Sequence, residues 1–346
     1  MTRLNRRGLI AGAAFSAAAL AALTVPGTVQ AQEAVEWRMQ ALWDAGTTPF
    51  EYEKKFVERV SELTDGKFDI KLFSAGQLVP ANQAFDAVRA GAFEMMKTFD
   101  GYEAGKIPAF AFTSTVPFGF PDSDQYEAWF YELGGLDLAR EAYAKAGLFY
   151  IAPSVYGEEP IHSTVKMETI ADMADKKGRF VGLASAVMAE MDVAVTPMAT
   201  GEVYTALEKG LIDFADRGDL TANYEAGLAE VAKFIILPGV HQPTTATSYV
   251  ANQAAYEALP EAYKAALAVA AREVSGALRQ HILVQNVEIL EKYQEKGVEV
   301  IYLDPADVAA NRLKAVEAWK KATKGDDLAT RVLNSQVDFM TALGLL

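Results

Sequence analysis

The arginine at position 179 is of a type and in a setting suited to binding a carboxylate. It follows the polar run Asp175–Gly178, opens the apolar segment Arg179–Leu183 and precedes Gly182 by three residues. A planar guanidinium donates two parallel, charge-assisted hydrogen bonds to a carboxylate, whereas a lysine offers only a point charge. The same spacing also fits an arginine that is merely solvated at the surface, so the residues alone leave both interpretations open.

A second candidate site lies in the segment Phe99-Asp100-Gly101-Tyr102, where a strand is expected to end. Open α/β sheets present their ligand contacts beyond the carboxyl ends of the strands. We therefore expect Asp100 and Tyr102 to contact a ligand, with plain packing as the alternative for Tyr102.

The sequence lacks the residues that several other kinds of site would require. The 346-residue chain has no cysteine, which excludes disulfides, thiolate metal sites and a cysteine nucleophile. Its three histidines have no i, i+4 pair, Ser185 has no GxSxG context, and no GxxxxGK[ST] phosphate loop occurs. The net charge of −14 disfavours nucleic-acid binding. We expect a protein that is not an enzyme and needs no cofactor.

The first 31 residues differ from the rest of the chain. They contain three arginines and no acid, then an apolar, alanine-rich run, then Pro26-Gly27 and Val29-Gln30-Ala31. This order is typical of a secretory signal peptide, and Arg6-Arg7 followed by Gly8-Leu9-Ile10 resembles a twin-arginine signal. The alternative is a signal-anchor helix, but the apolar run is short. We expect export, to a bacterial periplasm.

The remaining chain alternates between period-two and helical patterns, which indicates an α/β protein with mostly parallel sheets. Strands are predicted at 35–42, 67–73, 147–153, 179–183, 194–198, 211–216 and 298–303. Helices are predicted at 50–63, 83–90, 167–173, 185–191, 202–209, 254–294 and 305–346. Two α/β units joined by more than one crossing, exported and without a catalytic signature, are the pattern of a periplasmic solute-binding protein that closes around its ligand.

Several segments, in the right order, carry a family resemblance. The densest is Gly201-Glu202-Val203-Tyr204-Thr205-Ala206-Leu207-Glu208-Lys209-Gly210-Leu211-Ile212-Asp213, and others are Ser74–Pro80 and Val116–Gly119. Together they resemble the DctP-type solute-binding proteins of TRAP (tripartite ATP-independent periplasmic) transporters, nearest the branch that binds 2-oxo acids and related monocarboxylates.

The resemblance implies a two-domain periplasmic binding protein fold, type II-like, with a long helix across both domains and a C-terminal helical extension. We expect residues 32–153 and 245–285 in domain I, 154–244 and 286–304 in domain II, and a C-terminal helical segment at 305–346, which permits a homodimer. A small organic acid would be captured in the cleft and delivered to the membrane permease subunits. A sensor subunit and, less favoured, a periplasmic hydrolase are the alternatives.

The resemblance also implies which residues bind the ligand. Arg179-Phe180-Val181-Gly182 fits the R-x-x-G context of the family's carboxylate-binding arginine. Asp216-Arg217 stands where the family usually has an acid followed by tryptophan. Arg217 would neutralise Asp216, meet a second acidic group on the ligand, or form a surface salt bridge with Asp219. The last of these would contribute little to stability.

Two further positions follow from the resemblance. Gln242 stands where the family places a polar contact to ligand or cation, and Glu159 is nearest to a glutamine contact of the branch. His241 is expected to be structural. If Asp100, Glu159 and Asp216 face one cleft with Arg179, the three carboxylates require a cation. Three sources of this positive charge remain open. They are Na⁺ or Ca²⁺ held by Glu159, Asp216 and Gln242, an ammonium group on the ligand, and Arg217.

Overall fold

The computed structural model describes residues 34–346, so the predicted signal segment 1–31 lies outside the described residues. No helix within 34–346 has the length and apolar character needed to cross a membrane. The strands are β1 (Val35–Gln40), β2 (Phe68–Phe73), β3 (Met95–Thr98), β4 (Leu148–Gly157), β5 (Ile161–Ser163), β6 (Lys177–Arg179), β7 (Ala194–Val195), β8 (Phe214–Ala215), β9 (Phe234–Leu237), β10 (Thr245–Asn252) and β11 (Glu299–Tyr302). The α-helices are α1 (Thr48–Leu63), α2 (Ala84–Arg89), α3 (Ser123–Glu132), α4 (Gly135–Ala144), α5 (Gly182–Ala189), α6 (Val203–Glu208), α7 (Leu220–Glu225), α8 (Gln253–Glu257), α9 (Glu261–Glu295), α10 (Pro305–Ala322) and α11 (Asp327–Ala342).

The strands form two separate sheets, which confirms the prediction of an α/β fold in two parts. The first sheet has the order β2-β1-β3-β10-β4, and the second has the order β11-β9-β5-β8-β6-β7. The sheets are mixed rather than mostly parallel. β10 runs antiparallel to β3 and β4, and β5 runs antiparallel to β8 and β9, because the chain returns through these strands when it changes sheet.

Three connections join the two sheets. β4 of the first sheet leads through residues 158–160 into β5 of the second, and β9 leads back through residues 238–244 into β10. Gly239 lies in the second connection, and a Cβ there would come within 1.8 Å of the carbonyl oxygen of Glu159. This approach requires glycine, because only glycine has no Cβ. The close packing of Gly239 against Glu159 places the two connections side by side at the base of the cleft.

The third connection is α9, the predicted long helix. Its amino-terminal half buries Tyr263, Leu267 and Val274 against the first sheet, together with Trp37 and Phe68. Its carboxyl-terminal half buries other apolar residues against the second sheet: Ile289 and Tyr293, beside Leu220 and Ile235. One helix thus contributes to both cores. Pro260, its N-cap, separates it from the shorter α8, so the helix predicted at 254–294 is two helices.

The C-terminal segment folds back on its own chain. The single helix predicted at 305–346 is divided into α10 and α11, because the chain turns at Gly325 with φ of +72°. The indole of Trp319 donates to the carbonyl of Pro117 at 3.1 Å, and the amide of Gln336 donates to the carbonyl of Phe112 at 2.8 Å. The homodimer and the domain boundaries proposed from the sequence stay predictions.

Candidate functional site

A cavity of about 770 Å³ lies between the two sheets. Its lining includes the sequence-predicted residues Tyr102, Glu159, Arg179, Arg217 and Gln242. Pockets of this size and mixed lining are typical of small-molecule sites. Residues from both sheets and both short connections contribute to the wall, so the site is built where the two halves of the molecule meet.

Arg179 is the last residue of β6, and Asp216 directly follows β8. The two strands are parallel neighbours, with Arg179 in register with Ala215. Because parallel neighbours end at the same edge of a sheet, the register brings the two side chains together. Arg179 is 2% exposed and Asp216 is fully buried, and Nη1 of Arg179 donates to Oδ1 of Asp216 at 2.5 Å. The arginine predicted from sequence is therefore a buried group rather than a solvated one.

The protein itself satisfies most of the Arg179 guanidinium. Nη1 also donates to the carbonyl oxygen of Asp216 at 3.1 Å, while Nε and Nη2 donate to the carbonyl oxygen of Met198 at 3.2 and 3.0 Å. Negative charge on Asp216 raises the pKa of Arg179 despite burial, so the guanidinium stays charged. A ligand that takes the guanidinium in a bidentate manner must displace either the Met198 carbonyl, which lies in the cavity wall, or a bond to Asp216.

Glu159 and Gln242 lie on the two connections between the sheets, where the amide N–H of Glu159 donates to the carbonyl of Gln242 at 3.0 Å. The side-chain amide of Gln242 donates from Nε2 to Oε2 of Glu159 at 2.7 Å and to Oδ2 of Asp216 at 3.4 Å. The hydroxyl of Tyr156 donates to the other oxygen of Glu159. Burial, reinforced by the negative charge of Asp216, raises the pKa of Glu159 to about 8.

Several buried polar atoms at this point have no partner among the described residues. They are Oε1 of Gln242 and both ring nitrogens of His241. His241 lies fully buried beside Phe180, with Nε2 3.8 Å from Oδ2 of Asp216, and burial lowers its pKa to about 4. One atom each of Glu159, Asp216 and His241 lies within 4.8 Å of the others, a spacing that suits a metal ion. Buried polar groups without partners need an explanation, and an ion is one.

Asp100 lies apart from this cluster, contrary to expectation. Its carboxylate accepts from the hydroxyls of Thr113 at 2.5 Å and Tyr143 at 2.6 Å, in the interior beneath the cavity. Burial raises the pKa of Asp100. Its neighbours Gly101 and Tyr102 line the cavity, and Asp100 does not. The carboxylate therefore anchors the segment that carries Tyr102, because it is already satisfied by buried hydroxyls.

The sequence reasoning missed three residues of the site. Trp43 lines the cavity, and its indole N–H is buried with no partner among the described residues. Tyr156 supports Glu159, and Met198 supplies the carbonyl that holds Arg179. Trp43 could have been predicted as a cavity residue from its position just after β1, since strand ends meet at the cleft. The part played by Met198 depends on its backbone and had no signal in its side chain.

Comparison with known proteins shows which family profile and which relatives this chain matches. Residues 39–326 match the profile of the bacterial extracellular solute-binding proteins, family 7, the DctP family. The chain is similar to the monocarboxylate 2-oxoacid-binding periplasmic protein of Nostoc sp. (strain PCC 7120), with 32% identity over 304 residues, 86% of this chain and 83% of that protein.

Two solved structures share the fold over nearly the whole chain. One is a TRAP transporter solute-binding protein from Bordetella bronchiseptica RB50 with copurified calcium and picolinate, with a TM-score of 0.83, 28% identity, and coverage of 90% of this chain and 93% of that one. The other, from Pseudoalteromonas atlantica T6c, has bound sodium and pyruvate, with a TM-score of 0.81, 25% identity, and coverage of 90% and 95%.

Proposed function

The chain belongs to family 7 of the bacterial extracellular solute-binding proteins, and from that premise we propose that Arg179 binds the carboxylate of a small organic acid in the cleft. The protein is not an enzyme; it delivers its ligand to the membrane permease subunits of a TRAP transporter. The observation that carries the assignment of Arg179 is its position, a charged and almost fully buried guanidinium in the cavity wall.

Tyr102, Glu159, Asp216, Arg217 and Gln242 complete the proposed site. The periplasm is the proposed location, since the chain's relatives are periplasmic binding proteins and its first 31 residues have the order of an export signal. The arginine pair Arg6-Arg7 supports the twin-arginine form of that signal.

A cation is proposed at the point where Glu159, Asp216 and Gln242 meet. Rotation of the Gln242 amide by half a turn would direct its partnerless Oε1 toward the two carboxylates, giving an oxygen donor set. Such a set suits a hard cation such as Ca²⁺. Similar proteins hold calcium with picolinate or sodium with pyruvate. The cation would neutralise the carboxylates and offer open coordination positions to oxygens of the ligand.

Direct binding measurements test the proposed function. The purified protein should be stabilised against heat by 2-oxo acids or aromatic carboxylates, and the shift should grow with ligand concentration. Pyruvate and picolinate, each with and without Ca²⁺, are the first probes, and mass spectrometry of ligand retained through purification extends the panel. If no organic acid binds, while an uncharged solute copurifies and stabilises the protein, the proposal is wrong.

Two contacts across the cleft suggest how the bound state is held closed. The backbone N–H and hydroxyl of Thr48, at the start of α1, donate to Glu225 of α7 at 3.1 and 2.7 Å. Thr47, the N-cap of α1, makes no side-chain capping bond. Glu225 thus caps a helix of the opposite half. On the far side of the cleft, the hydroxyls of Tyr102 and Thr200 lie 3.4 Å apart.

We expect Glu225→Ala to weaken ligand binding by about 2- to 30-fold, since a helix cap contributes about 0.5–2 kcal/mol and this cap joins the two sides of the cleft. Isothermal titration calorimetry measures the affinity, and small-angle scattering measures the compaction on binding. Glu230→Ala is the matched control, because Glu230 is an exposed acid nearby in the chain that pairs with Lys296. Equal affinities for the Glu225 variant and the parent protein would rule out this role.

A further inference from the structure

We propose that the ligand carries a second anionic group and that Arg217 is the residue that selects for it. The inference rests on the proposed function, because it takes Arg179 as the site of the first carboxylate. The ligand class is then a dicarboxylate, or a carboxylate with another acidic substituent, rather than a simple monocarboxylate.

The positively charged side chain of Arg217 lines the cavity and has no ion-pair partner among the described residues. Arg217 is the second residue after β8, half-buried, and part of the cavity wall. Its guanidinium makes one bond, from Nη1 to the carbonyl oxygen of Ala222 at 3.3 Å. Among residues 34–346 no carboxylate oxygen comes within 4.0 Å of it. Four of its five N–H groups are therefore available to a ligand.

No acid around Arg217 forms an ion pair with it among the described residues, although Oδ2 of the buried Asp219 has no hydrogen-bond partner there. Asp219, expected from the sequence as a surface partner, instead caps α7, with Oδ1 accepting from the backbone N–H groups of Thr221 and Ala222 at 2.9 and 3.1 Å. Asp216 is paired with Arg179, and Glu159 is held by Tyr156 and Gln242. Asp44 is exposed and lies at the cavity wall without an ion pair among the described residues.

The other two cations of the cavity wall, Arg179 and Lys106, have ion-pair partners. Arg179 has Asp216, and Lys106 has Glu103 at 2.8 Å. Arg217 is therefore the one cation of the cavity wall that has no carboxylate oxygen within 4.0 Å among the described residues.

A monocarboxylate held by Arg179 would leave the Arg217 guanidinium without a contacting anion in a cleft that closes around the ligand, which costs desolvation energy. A second anionic group removes that cost, and an arginine can bind it bidentately. The cavity of about 770 Å³ has room for a ligand longer than three carbons. The second arginine therefore converts a site that would bind any small organic acid into one that distinguishes dianions from monoanions.

Matched pairs of acids test the inference. Pyruvate is compared with 2-oxoglutarate, and picolinate with the pyridine dicarboxylates, by calorimetry on the full mature protein. In the parent protein the best dianion should bind at least about 10-fold more tightly than its monoanionic counterpart. Arg217→Gln should abolish that preference by weakening dianion binding more than monoanion binding, and Arg217→Lys should restore part of it.

Lys106→Gln is the matched control, because it removes a cation of the same cavity wall that is already paired with Glu103. This variant should keep the preference for dianions. Equal binding of both classes by the parent protein, or an equal loss of both in Arg217→Gln, would overturn the inference and leave the proposed function standing. Failure of every acid to bind the parent protein would overturn both.

Discussion

Replacing Arg179 by alanine should weaken binding of organic acids by at least about 30-fold in affinity. Removing one partner of a buried, hydrogen-bonded charge pair costs about 2–5 kcal/mol in binding, and each 1.4 kcal/mol is a factor of ten. The same change should destabilise the ligand-free protein by about 3–5 kcal/mol, because Asp216 remains fully buried without its cation. Calorimetric titration and chemical denaturation measure the two effects separately.

A second variant separates loss of the binding group from loss of the fold. Arg179→Met with Asp216→Asn removes both buried charges together, which is close to neutral for stability in comparable cases. This protein should fold and still fail to bind. Arg331→Ala is the control, since Arg331 is an exposed arginine in ion pairs with Glu141 and Asp327, and such pairs contribute little. A double variant that binds the acid with unchanged affinity would contradict the assignment of Arg179.

The sequence predicted the arginine but not the way in which the protein holds it. Arg179 was identified from its residue type, its flanking strand and a family resemblance. Its bond to Asp216 depends on which strands are neighbours, since 34 residues of chain separate β6 from β8 and the two strands lie side by side only in the sheet. Local patterns do not encode that pairing. The capture of the guanidinium by the Met198 carbonyl is likewise a property of the folded backbone.

The expectation for Asp100 shows a second limit. Its position at the end of a strand was inferred correctly, since β3 ends at Thr98. A strand end tells that a residue is near the cleft, but not whether its side chain points into the cavity or into the interior. The Asp100 carboxylate points into the interior, because it accepts hydrogen bonds from the buried hydroxyls of Thr113 and Tyr143, which lie elsewhere in the chain.

Strong periodicity led to the prediction of some elements but not of all, since α4 has a clear buried face and was not predicted. α1 and β2 bury one face and expose the other, and both were found close to their predicted bounds. β10 was missed, because it is buried on both faces and its sequence has no alternation. The strand predicted at 179–183 ends at Arg179, since Gly182, with φ of +58°, already begins α5. A Cβ on Gly182 would also lie 3.2 Å from Cα of Gly101 across the cleft.

Replacing Glu159 by glutamine should remove a pH dependence from the stability of the ligand-free protein. The pKa of Glu159 rises from 4.5 to about 8 on folding, because burial and Asp216 both oppose its ionisation. Between these two values the folded protein holds a proton that the unfolded chain has released. The free energy of unfolding therefore falls as the pH rises through this window, by up to about 1.4 kcal/mol per pH unit, and levels off above about pH 8.

Chemical denaturation of the parent protein and of Glu159→Gln, at intervals from pH 5 to about pH 9, measures this difference. Asp219, whose pKa is raised to about 6, is present in both proteins, so its contribution cancels in the comparison. The proposed cation competes with the same proton, so Ca²⁺ should stabilise the parent protein more at pH 8 than at pH 6. Glu159→Gln should respond to Ca²⁺ equally at both values, since an amide has no proton to release. Parallel stability profiles for the two proteins would show that Glu159 is already ionised in the folded state, and the cation would then have no proton to displace.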